Sequence, residues 1–334
     1  MDTITQIALG ATIAEAGFRE KLGVKGIIFG GICGLLPDLD IVVRLQSEWA
    51  YLQYHRGISH SVFFLTLIAP MMGYLGYRYL GKKSNFTLWT ALAFLALVTH
   101  PILDLFTSYG TQLLAPWTWE KLAIDAIPII DFFYTVPLFL VLLSGSMHFF
   151  SYKFRRNFAL AVLFITSSYI GCGYLQAQKA ISIAKNQLIP DNIKIEKIRA
   201  VPSLLNIFLW RVVVQDDQTN FHVGFISTLN PKPIAFHTVI NEKHPLIQKA
   251  LDSHQGKVFQ CFSMGLLSAK IKKTSQGYRI FLCDMRYGLV KDPSQHIFGV
   301  IFDLNQEGKI KSAYRSPRPP IRFQEELQAI WENL

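Results

Sequence analysis

Asp38 and Asp40 lie two residues apart where an apolar run ends in Gly34-Leu35-Leu36-Pro37-Asp38-Leu39-Asp40. A regular helix would splay them, an extended turn after Pro37 brings them together, and adjacent carboxylates favour a shared cation or a shared proton. In His55-Arg56-Gly57-Ile58-Ser59-His60-Ser61 two imidazoles flank a glycine turn just before another apolar run. Neutral imidazole is a ligand for zinc, iron and manganese, and the planar fork of Arg56 suits a phosphate or a carboxylate. His100 and Asp104, in Thr99-His100-Pro101-Ile102-Leu103-Asp104, are four apart and share one helix face, a spacing that lets both reach one ion. Asp131, within Ile129-Ile130-Asp131-Phe132-Phe133, is a single carboxylate in an apolar stretch, suited to act as ligand, general base or orienting group.

Each motif has a plainer explanation: a solvated helix end for Asp38 and Asp40, polar caps for His55 and His60, a simple hydrogen bond for His100 and Asp104. Ionisable groups at the edge of an apolar span are costly unless paired, hydrated or bound to a cation, and here seven gather. Three His and four Asp suggest one or two divalent cations, zinc first and manganese or iron next, stabilising charge that develops on a phosphoryl or carbonyl oxygen. The expected ligands are Asp38, Asp40, His55, His60, His100 and Asp104. Asp131 and Arg56 are expected to act on the substrate. No Cys nucleophile, Gly-x-Ser-x-Gly elbow or phosphate-cradling glycine loop offers a chemistry that competes with metal-dependent hydrolysis. His148, His222, His237, His244, His254 and His296 lack ligand spacing and read as ordinary surface or core residues.

The elements that must position these groups follow from hydropathy. Of the 334 residues 51% are hydrophobic and only 17% charged, more apolar surface than a soluble core of this length needs. The excess lies before residue 177, which divides the chain into a membrane domain, 1–177, and a soluble domain, 190–334. Six apolar segments are candidate crossings: 4–18, which is short, 24–43, 61–80, 86–106, 127–149 and 158–175. Gly26, Gly30 and Gly34 recur every four residues and offer a smooth stripe to another helix. Basic breaks at Arg19, Lys21 and Lys25, at Arg78, Lys82 and Lys83, and at Lys153, Arg155 and Arg156 follow the first, third and fifth segments. They put those loops in the cytoplasm, and the Asp and His motifs, Trp117, Trp119 and the soluble domain on the opposite side.

From residue 177 onward 21 Lys and Arg stand against 13 Asp and Glu, so most of the +10 net charge belongs to the soluble half. That charge suits anionic lipid headgroups; no stripe of Arg and aromatic residues marks nucleic acid as a partner. Strands are expected at 206–214, 221–226, 278–283 and 297–302 and helices at 244–254 and 323–334, a small α+β domain. Cys33 and Cys172 fall in apolar runs, while Cys261 and Cys283 are either a pair or two free thiols. The N-terminus has no basic region or cleavage site of a secretory signal.

At these motifs the chain resembles the YdjM-like family, described as LexA-binding, inner-membrane-associated metal-dependent hydrolases. The match runs in order from Met1-Asp2-Thr3-Ile4-Thr5-Gln6 through the Asp38, His55 and His100 motifs to Thr107-Ser108-Tyr109-Gly110-Thr111-Gln112 and Ile130-Asp131-Phe132-Phe133-Tyr134-Thr135. Asn206-Ile207-Phe208-Leu209-Trp210-Arg211 and Asp284-Met285-Arg286-Tyr287-Gly288 are similar to segments of the longer members. The resemblance implies a bacterial inner-membrane location and metal-dependent hydrolysis. Many members carry His where this chain has Gln6, and Pro where it has Phe132.

The expectation is therefore an α-helical integral membrane bundle of about six hydrophobic helices with a C-terminal α+β soluble domain. Its expected activity is metal-dependent hydrolysis of a phosphoester or lipid-linked substrate at the membrane surface, with membrane lipids as partners. The rival is a non-catalytic metal-binding scaffold or sensor, or an ion transporter. Substrate identity and oligomeric state are not written in these patterns.

Overall fold

The computed structural model describes residues 1–81, 85–147, 149–188, 193–320 and 322–334. Lys82 and Lys83 of the second basic break, His148, and residues 189 and 190 beside the expected domain boundary lie outside them. The chain divides into two compact units, Met1–Cys172 and Gly173–Leu334.

The first unit is helical: α1 (Thr3–Gly17), α2 (Arg19–Leu35), a 3-10 helix (Leu36–Leu45), α3 (Glu48–Tyr54), α4 (Val62–Leu75), α5 (Phe86–Leu105), α6 (Phe132–Ser146) and the start of α7 (Tyr152–Leu188). α1 and α2 form a hairpin of small residues, where a Cβ at Gly30 or Gly34 would run into the carbonyl oxygen of Gly10 or Gln6. This is the close approach that the glycine stripe predicts. Ala14, Phe29, Cys33, Leu65, Ala69, Trp89, Leu92 and Ala96 form the core, with the edge of Phe29 against the Trp89 ring at 5.1 Å.

The membrane character stands, and the described helices give three candidate crossings or four against the six apolar segments of the sequence. Among the described residues three helical stretches are long and apolar enough to cross a bilayer: Arg19–Leu45, Phe86–Leu105 and Tyr152–Leu188. A fourth is added if Glu48–His60 and Val62–Leu80, bent by 62°, count as one broken span or re-entrant loop. α1 and α6 have 15 residues each, about 22 Å at 1.5 Å per residue, short of a hydrocarbon core of about 30 Å. Hydropathy records where apolar residues run, whereas caps decide where the helix starts: Asp131 caps α6 and leaves 127–130 outside it.

The second unit holds two four-stranded antiparallel sheets. The first is β1 (Ile195–Pro202), β2 (Leu209–Asp216), β3 (Phe221–Ser227) and β4 (His237–Val239); the second is β5 (Leu267–Thr274), β6 (Gly277–Asp284), β7 (Gly299–Leu304) and β8 (Ile310–Arg315). Between them lie α8 (Pro245–Asp252) and α9 (His254–Phe262), and α10 (Phe323–Asn333) closes the chain. Each sheet is a simple meander, which short turns allow for antiparallel neighbours. Val213, Phe221 and Val223 of the first sheet share a core with Leu266, Cys283 and Met285 beside the second. One small sheet was expected and two form: β1, β4, β5 and β8 add to the four expected strands, and β8 and the second half of β5 are largely exposed, so composition marks them poorly. All four cysteines are free thiols, so Cys261 and Cys283 do not pair.

Candidate metal centre

The site is assembled at one end of the α1–α2 hairpin. Asp2 caps α1, accepting from the Thr5 amide at 3.0 Å, and the small-residue packing brings Gln6 beside Gly34 at the end of α2. Pro37 then starts the 3-10 helix, not the extended turn that its position suggested. His60 closes a short 3-10 turn, Ile58–His60, reached through Arg56 with φ of 57°. His100 and Asp104 stand one turn apart on α5, as their spacing requires.

Asp38, His60, His100 and Asp104 converge: one potential ligand atom from each lies within 4.8 Å of the others, and all four residues are buried. His60 Nε2 is 3.2 Å from His100 Nε2, 3.2 Å from Asp104 Oδ2 and 3.5 Å from Asp38 Oδ1. His100 Nε2 is 3.4 Å from Asp38 Oδ1 and 3.5 Å from Asp104 Oδ2. For a tetrahedral cation with ligands at about 2.0–2.1 Å, ligand atoms are separated by about 3.3–3.5 Å. Five of the six edges of such a tetrahedron are thus present among these atoms.

The outer face of each ligand is held by another group. His100 Nδ1 donates to the Gly34 carbonyl at 2.6 Å, so its neutral ring turns the Nε2 lone pair inward. The Ser59 hydroxyl donates to Asp40 Oδ2 at 2.6 Å and is left to accept from His60 Nδ1 at 3.0 Å, which turns the His60 Nε2 lone pair inward too. Asp38 Oδ2 accepts from the Thr3 hydroxyl at 2.8 Å. Asp104 Oδ1 accepts from Gln6 Nε2 at 3.0 Å, pairs with Arg56 Nη2 at 3.2 Å and meets the Met1 amino group, while its Oδ2 is buried without a hydrogen bond. Four inward lone-pair atoms repel one another, and a single proton bridges only two of them. A divalent cation satisfies all four, and two N with two O donors is a zinc-type set, with manganese and iron also served by imidazole and carboxylate.

Asp40 and His55 stand one step back. Asp38 and Asp40 approach the two nitrogens of His60 from opposite sides, with Asp38 Oδ1 3.5 Å from Nε2 and Asp40 Oδ2 3.3 Å from Nδ1. Asp40 also binds His55 Nδ1 at 2.7 Å and accepts from the Arg56 amide at 3.0 Å, so one carboxylate organises the whole 55–60 turn. Arg56 is buried, donating to the Thr107 hydroxyl at 3.0 Å and the Met1 carbonyl at 3.2 Å. Asp131 is not one of the four converging residues; it caps α6 through the Phe133 amide at 2.9 Å and accepts from the Tyr169 hydroxyl at 2.8 Å. Gln6 occupies a supporting place, binding the His100 carbonyl and Asp104. Thr3, Ser59 and the Gly34 carbonyl were not singled out; hydroxyls and backbone oxygens carry no spacing signal of their own.

A membrane-embedded helical unit with a buried group of two His and two Asp fits a membrane protein that binds a metal ion. The chain belongs to the YdjM inner membrane protein family, whose model matches residues 1–180. It is also similar to the uncharacterized protein YfhP of Bacillus subtilis (strain 168), with 24% identity over 338 aligned residues that span 94% of each chain. No solved structure matches it. The family and the apolar helices point to the inner membrane.

Proposed function

We propose that this protein is a metal-dependent hydrolase of the inner membrane, acting on a phosphoester or lipid-linked substrate at the membrane surface. The observation that carries the reading is the convergence of four inward ligand atoms, each with its outer side already held. Asp38, His60, His100 and Asp104 would hold the cation, zinc before manganese or iron. Such a cation, when bound, supplies Lewis acidity toward a phosphoryl or carbonyl oxygen. Asp40 fixes His60 and the ring of His55. With Nδ1 held by Asp40, His55 has Nε2 to take or return a proton, the arrangement of an oriented general base. Arg56 offsets the charge of Asp104. Asp131, bonded at the head of α6, acts as a positioning group for that helix.

A membrane-surface substrate is supported by the 3-10 helix itself: next to Asp38 and Asp40 it exposes Leu39, Ile41, Val42 and Leu45. Trp117 and Trp119 are exposed in the loop after α5, as residues of an interfacial belt are.

Elemental analysis of the detergent-purified protein beside His60→Ala and Asp104→Ala, followed by a phosphoester screen with the metal found, tests the proposal. Near-stoichiometric metal in the unmutated protein, lost in both variants, together with turnover supports it. Protein that folds without metal removes the assignment.

A further inference from the structure

We propose that the end of the membrane unit remote from the metal centre holds a resident anionic phospholipid, its headgroup at Arg19 and Arg155 and its acyl chains along the start of α7. The site is independent of the hydrolase reading: Asp2 and Gln6 face the metal centre from one end of α1, and Arg19 follows the other end, 15 helical residues away. The first observation is that cations far apart in the chain are brought together. Arg19, at the start of α2, donates through Nη2 to the Gly145 carbonyl at 3.0 Å, and Arg155, in the first turn of α7, donates through Nη1 to the same oxygen at 3.2 Å. Lys25 donates to the Leu80 carbonyl at 2.9 Å, which joins the break that holds Arg78 to this end as well.

The charge here is lopsided. Residues 15–25 and 144–157 carry six Lys and Arg against two carboxylates, Glu15 and Glu20, so four positive charges remain, and residues 76–86 hold neither Asp nor Glu. Glu15 is buried and pairs with Arg19 Nη1 at 2.6 Å. Among the described residues Lys21, Lys153, Arg155 and Arg156 have no carboxylate partner, and Arg155 donates only through Nη1, its Nε being buried without a hydrogen bond. Two guanidinium groups converging on one oxygen suit a phosphate, which takes donors from several directions, and each Lys or Arg at a membrane surface gains from an anionic lipid.

The second observation is an apolar row that starts beside these cations. Phe149, Phe150, Phe154 and Phe158 follow one another with ring centroids 4.1, 4.6 and 6.1 Å apart, from the loop after α6 into α7. Phe149 and Phe154 are exposed, and so is Ile165, eleven residues beyond Phe154 and therefore on the same helix face. A soluble anion would use the cations and leave the rings bare. A phospholipid uses both, because its charge and its hydrocarbon are joined end to end, and the row continues the apolar helix surface that already lies in lipid.

The test is thermal unfolding and native mass spectrometry on the full-length protein in detergent, titrated with phosphatidylglycerol, with phosphatidylcholine of the same chains, or with inorganic phosphate. The expected result is saturable, stabilising binding of phosphatidylglycerol, with phosphatidylcholine at least about ten-fold weaker and no stabilisation by inorganic phosphate at the same concentration. Arg155→Gln should weaken phosphatidylglycerol about five-fold, and Lys153→Gln combined with Arg156→Gln, both exposed positions, about ten-fold, with metal content unchanged in each. Should Arg155→Gln not fold, the exposed pair decides. Equal binding of the two lipids, equal stabilisation by inorganic phosphate, or a lipid preference that survives the paired substitution overturns the inference and leaves the metal-dependent reading untouched.

Discussion

Two buried clusters of charge, one in each unit, have opposite needs. In the C-terminal unit Asp284 and Arg286 are both fully buried, yet Arg286 Nη2 meets Asp284 Oδ2 at 2.7 Å and Nε reaches both oxygens at 3.0 and 3.2 Å. The remaining guanidinium face lies over the Phe262 and Tyr287 rings, and Nη2 also donates to the Phe262 carbonyl. That pair is complete as the chain folds. In the membrane unit Asp38, His60, His100 and Asp104 turn lone pairs toward one another, and Asp104 Oδ2 is left without a donor. Both are buried; what differs is whether the chain's own donors use every carboxylate oxygen. A buried acid wholly matched by its own base is architecture, whereas a buried group that leaves a carboxylate oxygen unmatched beside two imidazoles is a candidate binding site.

Changes to each cluster separate the two. The largest effect is expected for Asp284→Ala, which leaves Arg286 buried and unpaired: the C-terminal unit should lose about 3–5 kcal/mol in thermal or denaturant unfolding, with metal content unchanged. If metal content falls too, the clusters are not independent. Next, chelation should destabilise the membrane unit by about 2.7 kcal/mol relative to protein held at about 100 times its metal dissociation constant. His60→Ala should abolish that difference, whereas Asp284→Ala should keep it; calorimetry with and without chelator measures both.

A smaller change is expected for Asp40→Asn, which preserves shape but weakens the carboxylate behind His60. Metal affinity should drop about 10- to 100-fold, the usual cost of losing an orienting partner, read by competition with a chromophoric chelator. An unchanged affinity would strip Asp40 of its orienting role.

The smallest concerns Cys283 and His296, 3.0 Å apart in the C-terminal unit. Burial, then the charges of Lys270 and Arg211, lower the His296 pKa from its ordinary 6.5. The imidazole is therefore neutral when folded, and the unfolded chain takes up the proton first. Its stabilising contribution is full above about pH 6.5 and is lost as pH falls from there toward the lowered folded value. The unmutated protein should lose more stability between pH 8 and pH 5 than His296→Gln, and equal losses would remove His296 from the pH response. Burial also pushes the Cys283 thiol up to about 12, so at pH 8 a maleimide should label exposed Cys261 and spare Cys283.

Legibility differed between the two units in an instructive way. His100 and Asp104 were readable because a helix repeats every 3.6 residues, so four apart means one face whatever else the chain does. Gly30 and Gly34 of the glycine stripe likewise signalled close packing, which falls on α1, whereas Gly26 meets only Leu22 of its own helix. The parting of Asp38 and Asp40 was not readable, because a 3-10 helix in place of an extended turn changes which way alternate side chains point. β5 and β8 escaped notice because their lysines face solvent on half-exposed sheets, where composition says little about pairing.

What the sequence determined by itself is the membrane class, the division into an apolar and a basic half, and the residue types of the site, since these depend on composition and on spacings within single helices. What only the tertiary structure decided is which of those residues meet. Asp38, His60, His100 and Asp104 come from the 3-10 helix after α2, the turn before α4, and α5. Their convergence is set by how helices pack, and so is the placing of Asp40 behind His60 and of Asp131 at the head of α6. Contacts between segments far apart in the chain depend on the whole set of packed surfaces, which no local pattern encodes.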